Sequence, residues 1–270
     1  MNNLIGVKKL NIIADNFTLS NPVILSKLQQ RDKKYFYDFF EKILKTTDII
    51  DVNLGQFKKN IRETIEFVFN LIYEIHDFTI IIDSVNPDII NYAISHCSKP
   101  PVLNSISFDS KKFEQILPIA KENNLEIIAL VMDKRVPLTL DEKIALTLDI
   151  VNVCNEYGIS TEKIIVDPVV VPLGWDNGTV YNANNLEYLK FVKDAVASDL
   201  RTVCGLSNLT TGATGIKSVK KLDAFYLAMA YMNNLDFALV NVFNRDITNV
   251  IGFIKILENK EIFTSAIFDE

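Results

Sequence analysis

Six side chains in this sequence share one setting. Asp51, Asn53, Asp83, Asn104, Asp167 and Asn208 each lie at or just after the end of a short β-prone stretch, and a helix-like segment follows each. Asn241 repeats the setting near the last such stretch. Parallel strands that end in polar residues direct them to one common place, the carboxyl-terminal mouth of a closed α/β barrel. The set is rich in Asp and Asn and holds no His, Cys or Lys. Carboxylates accept hydrogen bonds only, whereas carboxamides both donate and accept. That combination suits recognition of a flat heterocycle with N–H donors on one edge and carbonyl and ring-nitrogen acceptors on another. It does not suit nucleophilic attack by the protein. Any one of these residues also fits the N-cap of the following helix. Several buried polar groups on one rim require a shared reason.

The elements that must position these residues alternate in period. Strand patterns fall at residues 10–14, 49–54, 78–83, 102–104, 126–132, 163–167, 202–206 and 235–242. Helical patterns follow at 33–44, 62–74, 87–95, 111–123, 141–157, 186–197, 218–232 and 247–257. In the second of these helices Ile65, Val68, Phe69 and Ile72 recur at helical spacing. Repeated βα units imply a parallel sheet with helical cover. Eight of them predict a single (β/α)8 TIM barrel over 1–270, with an open sheet as the fallback. No Gly-x-Gly-x-x-Gly follows the first strand, which removes support for a dinucleotide-binding fold.

Composition narrows the function classes. The 270 residues are 49% hydrophobic and carry a net charge of −6, which opposes general nucleic-acid binding. The apolar runs fall short of membrane-spanning length. The three cysteines, Cys97, Cys154 and Cys204, and the two histidines, His76 and His96, are scattered, so no metal site is expected. A cytoplasmic protein without a metal of its own is the expectation. Three loops offer further chemistry. The 133–137 segment carries Lys134 and Arg135, suited to an anionic tail or an acidic partner, or simply a solvated loop. Trp175, the only tryptophan, precedes an Asp-Asn-Gly turn and is suited to an exposed loop that meets a partner or folds back on itself. Thr210 to Gly215 has the hydroxyls and glycines of a phosphate loop, which would suit a phosphosugar enzyme such as an aldolase, although no strand-end Lys stands ready for a Schiff base.

Asp51-Val52-Asn53-Leu54-Gly55, Asp83-Ser84-Val85-Asn86, Leu103-Asn104-Ser105, Asp167 to Pro172 (Asp-Pro-Val-Val-Val-Pro) and Gly205-Leu206-Ser207-Asn208 resemble, in order and spacing, the pterin-binding TIM barrels. Within that family the resemblance is nearest to the methyltetrahydrofolate:corrinoid/iron–sulfur protein methyltransferases. It implies that Asp83, Asn104 and Asp167 hold a pterin ring, with Asp51 and Asn53 as a weaker second set. It implies that Asn208, the catalytic candidate, bonds near N5. The implied reaction moves a methyl group from N5 of methyltetrahydrofolate to the Co(I) corrinoid (cobalamin) of a partner protein, and the implied assembly is a homodimer. The first strand departs from the family: Ala14-Asp15-Asn16 stands where relatives carry Gly-Glu-Arg. That departure keeps a catalytically weak pterin-binding or assembly subunit in view. Dihydropteroate synthase is a third reading, weakened because Val240 to Arg245 lacks a Ser-x-Arg.

Overall fold

A computed structural model of the chain describes residues 10–54, 60–213, 220–258 and 260. Eight parallel strands close into a barrel: β1 (Asn11–Thr18), β2 (Ile49–Asn53), β3 (Thr79–Asp83), β4 (Val102–Ser107), β5 (Glu126–Leu130), β6 (Ile164–Asp167), β7 (Arg201–Gly205) and β8 (Phe237–Val240). Each pairs with its neighbour in sequence, and β1 closes the ring on β8. The described helices are α1 (Pro22–Gln29), α2 (Lys33–Leu44), α3 (Ile61–Ile75), α4 (Pro87–Ile94), α5 (Ser110–Glu122), α6 (Leu140–Glu156), α7 (Gly178–Ala195), α8 (Lys220–Met232) and α9 (Arg245–Leu257). The predicted (β/α)8 barrel is the architecture observed.

Side chains along a strand alternate between two faces. Here that alternation creates two apolar layers. Ile13, Ile81, Val102, Ile128, Ile165 and Val203 point inward and plug the barrel, with Ile49, Phe237 and Leu239 packed against them. Their sequence neighbours, such as Ile50, Ile82, Ile127, Val166 and Cys204, point outward into a second core beneath the helices. On β2, β3, β4 and β6 the next inward position beyond the apolar one is polar, whereas β5 places Leu130 and β7 places Gly205 there. Ile49 precedes Asp51 and Asn53, Ile81 precedes Asp83, Val102 precedes Asn104, and Ile165 precedes Asp167. The plug closes the floor and the polar residues line the mouth.

Two helix boundaries differ from expectation. The loop after β1 contains α1, for which no helix is expected above; it starts at a Pro whose preceding Asn21 side chain accepts from Val23 N–H, a strong helix-start signal. Helix α7 begins at Gly178, eight positions before the expected 186. Its first turns bury Asn182 and Asn185 rather than apolar side chains, so no hydrophobic period marks them. The expected start of the eighth helix at 218 and the motif residue Gly55 lie outside the described residues.

Candidate functional site

Register brings the mouth residues together. Asn53 pairs with Asp83 across β2 and β3, and Asp83 pairs with Asn104 across β3 and β4. Asn104 donates from Nδ2 to Asp51 Oδ1 at 3.0 Å, a buried bond between side chains of different strands. Asn53 donates from Nδ2 to Asp83 Oδ2. Asp51 and Asn53 therefore orient Asn104 and Asp83. None of the six predicted residues is an N-cap among the described helices. Those caps fall on other residues, for example Asn86, Asp109 and Thr139.

On the far side of the mouth, Asp167 is buried, and its Oδ1 accepts from Val169 N–H at 2.7 Å. Asn208 sits on a single 3-10 turn directly after β7 and is exposed. Gly205 lies between them. A Cβ built there would stand 3.6 Å from Asn208 Nδ2 and 4.0 Å from Asp167 Oδ2. The missing side chain leaves the carboxylate and the carboxamide on one open face.

The first strand contributes after all, with other residues than the Glu-Arg of relatives. Ala14 pairs with Ile50 and Phe17 with Val52, so β1 carries one extra residue between them. A bulge of this kind re-aims side chains. Asp15 accepts from Ser207 Oγ at 2.5 Å. Asn16 donates to Asn241 Oδ1 at 2.7 Å and accepts from Val242 N–H at 3.0 Å. Asp15 and Asn16 thus tie β1 to the turns after β7 and β8, one of which carries Asn208. The adjacent Asp-Asn pair directly after Ile-Ile-Ala was the available signal; ending the strand at Ala14 hid it.

The rim is acidic and poorly solvated. Burial pushes the Asp83 carboxyl up from its ordinary 3.8 to about 6. Burial does the same to Asp167, to about 6, opposed by hydrogen bonds from the Val169 and Gly205 backbone and by the Lys143 ammonium. Asp51 is pushed well above the usual range by burial, then by the charges of Asp83 and Asp15, against the hydrogen bond from Asn104. Asp15 is also raised, by burial, against its bond from Ser207. Burial and crowding bias these carboxyls toward the protonated form, and a ligand that supplies donors draws them back toward ionisation.

The loops resolve differently. Arg135 is engaged by Glu142 at 3.0 Å, the same Glu that completes the capping box of α6 with Thr139. Trp175 is 58% exposed and lines a shallow groove with Leu173, Leu209 and Leu222 beside the mouth. Thr210 Oγ1 donates to Asp223 at 3.1 Å, and Thr211 Oγ1 donates to the Ser207 carbonyl. The first phosphate-loop hydroxyl therefore faces a carboxylate, while Thr214 and Gly215 lie outside the described residues. Arg245 is the first residue of α9, behind an Asn244 cap. Among the described residues no group of three His, Cys, Asp or Glu side chains is arranged to hold a metal ion. No described helix is long and apolar enough to cross a membrane.

Known proteins are similar to this chain in sequence and in fold. The sequence is 22% identical over 245 residues to the methylcorrinoid:tetrahydrofolate methyltransferase of Eubacterium limosum, covering 89% of this chain and 88% of that one. The dihydropteroate synthase of Stenotrophomonas maltophilia with bound imidazole superposes with a TM-score of 0.70 at 11% identity, over 96% of both chains. That of Yersinia pestis with a pterine-sulfa conjugate superposes at 0.66 and 14% identity, over 94% of this chain and 96% of that one. At such identities these two establish the fold alone. The family described as pterin binding enzyme matches residues 41–241, and the chain belongs to it.

Proposed function

We propose that the protein transfers a methyl group between N5 of tetrahydrofolate and the cobalt of a corrinoid carried by a partner protein. The observation that carries this reading is the open face formed by Asp167, Gly205 and Asn208, opposite an Asp83–Asn104 pair braced from β2. Asp83, Asn104 and Asp167 take the donor and acceptor edges of the ring. Asp51 and Asn53 brace them. Asn208 reaches the N5 side.

The chemistry needs no nucleophile from this chain. In one direction a Co(I) corrinoid attacks the methyl carbon. The C–N5 bond breaks, and its electron pair remains on an N5 that carries a proton. In the other direction the N5 lone pair attacks the methyl on cobalt, the Co–C electrons pass to cobalt, and N5 releases its proton. The Eubacterium limosum relative is named with the methylcorrinoid first, and one site serves both directions. A tertiary amine leaves poorly, so a donor poised where charge changes at N5 lowers the barrier. The Asn208 carboxamide has that role.

Two other readings have their own tests. Dihydropteroate synthase would require an anionic pterin pyrophosphate at a rim lined with carboxylates, and condensation with p-aminobenzoate tests it. A pterin-binding assembly subunit would bind without transferring. We also infer a homodimer, supported by exposed Phe225, Met229 and Met232 on α8 and Phe253 and Leu257 on the adjacent α9; sedimentation velocity tests it. The decisive experiment is calorimetric titration with tetrahydrofolate and its N5-methyl form, followed by visible spectra of a corrinoid mixed with each. Saturable binding and spectral change between methylcobalt and Co(I) forms are expected. Binding without any spectral change overturns the transferase reading, and no binding by folded protein overturns the pterin reading.

A further inference from the structure

A lysine stands behind the barrel wall at full burial. Lys143, on α6, is 0% exposed, and its ammonium donates to the Pro168 carbonyl at 2.9 Å. Burying an ammonium costs several kcal/mol unless charge and hydrogen bonds compensate it, and one carbonyl is a partial answer. A leucine or methionine would fill the space without that cost. The compensation comes from the adjacent residue, Asp167, whose carboxylate acts on Lys143 as its largest favourable charge.

The turn that carries Asp167 is also strained. Val169 has φ of 66°, a conformation that β-branched residues avoid. Such a backbone persists where its surroundings over-determine it. Here every anchor is present. Asp167 takes the Val169 N–H at 2.7 Å, and Asn185 Nδ2 takes the Val169 carbonyl at 3.0 Å. Asn182 takes both Val171 groups, accepting from N–H at 3.2 Å and donating to the carbonyl at 2.8 Å. The anchors are themselves held: Tyr226 on α8 donates to the Asn182 carbonyl, and Thr147 joins the Lys143 carbonyl to Tyr188 on α7.

We propose that Lys143, Asn182 and Asn185 form a clamp behind the wall that fixes the orientation and the charge of Asp167, with Lys143 as a positioning residue. This rests on the reading that Asp167 holds the ring. The groups facing the pair are Glu142 on α6, Cys204 on β7, Tyr188 on α7 and Tyr226 on α8. Burial raises the Cys204 thiol and both tyrosines, which keeps them neutral. Burial drives Lys143 down to about 8 and Asp167 up to about 6, and each opposes the other's loss of charge. At neutral pH both are ionised.

The test reads the clamp without any pterin. Carbon-13 NMR follows the Asp167 carboxyl through a pH titration in the wild type, Lys143→Met and Lys143→Arg. The Asp167 midpoint rises by about one pH unit or more in Lys143→Met and stays near the wild type in Lys143→Arg. If Lys143→Met does not fold, the reciprocal is measured: the Lys143 amine titrates lower in Asp167→Asn than in the wild type. Tetrahydrofolate binding by Lys143→Met weakens about twofold at pH 7 for such a one-unit rise, more for a larger one, and recovers toward higher pH as Asp167 ionises. An Asp167 midpoint unmoved in folded Lys143→Met, or a Lys143 amine unmoved in Asp167→Asn, overturns the proposal and leaves Lys143 a structural filler. Midpoints that move in a protein that binds no tetrahydrofolate keep the clamp and refute the pterin reading instead.

Discussion

Asp83→Asn is expected to stabilise the ligand-free protein while removing its ligand binding. The Asp83 carboxyl lies about two pH units above its ordinary 3.8, and the cause is burial. At about 1.4 kcal/mol for each pH unit, ionising it in the folded state costs about 3 kcal/mol. The folded state therefore holds more protons than the unfolded chain between pH 3.8 and about 6. Stability from this group is full below the lower value and is lost as pH rises through the upper one. Asparagine keeps the shape and still accepts from Asn53 Nδ2, but it never ionises. Removing the charge also relieves Asp51, which Asp83 pushes up. Part of the gain is shared with that neighbour, so about 2 kcal/mol at pH 7.5 is the expected increase, shrinking toward zero near pH 4. Urea unfolding at a series of pH values measures it. Titration with tetrahydrofolate should show binding lost by about a hundredfold or more, because the ring loses a charged acceptor. A variant less stable than the wild type at pH 7.5, or a difference that does not change with pH, would refute the electrostatic reasoning.

Three further outcomes are expected. Asn208→Ala should lower the single-turnover rate of methyl transfer by about 10²–10³, leaving the circular dichroism spectrum intact; an unchanged rate removes Asn208 from the mechanism. Gly205→Val should fold, since its Cβ meets only ordinary contact distances, yet the added methyls occupy the gap between Asn208 and Asp167. Tetrahydrofolate affinity should then fall about tenfold or more, measured by calorimetry. Trp175→Ala should raise KM for the corrinoid partner several-fold and leave the tetrahydrofolate Kd unchanged, because Trp175 stands exposed in a groove lined by Leu173, Leu209 and Leu222 and not by Asp83, Asn104 or Asp167; steady-state kinetics with the two substrates varied in turn distinguishes these.

The barrel and half the rim were legible because both follow from period. A strand whose inward residue is apolar and whose next inward residue is Asp or Asn reads directly from Ile81-Ile82-Asp83 or Ile165-Val166-Asp167. The first strand was not legible, because its bulge breaks that period at the position where Asp15 and Asn16 turn to the mouth. The start of α7 was hidden for the opposite reason: its buried face is made of carboxamides that bind backbone, and these carry no apolar signature. Lys143 looked like any surface lysine of an amphipathic helix. Only the packing of α6 against the turn after β6 shows that its ammonium lies inside.

The two-residue spacing on β2 also bears on which changes in chain length the fold tolerates. Asp51 and Asn53 face the mouth because Ile49 faces the plug. One residue inserted between Ile49 and Asp51 would rotate both polar side chains to the opposite face of the strand. They would then meet the outer core, where Ile50 and Val52 now pack with no exposure. A single-codon insertion there would bury two polar groups and strip Asn104 and Asp83 of their braces at once. The same insertion in the helix-to-strand turns at the other end of the barrel, such as the one around Asn124, would change neither face. Length variation among homologous barrels should accordingly collect in those turns and be absent from the four or five residues that precede each mouth side chain, a distribution that an insertion-scanning library can count.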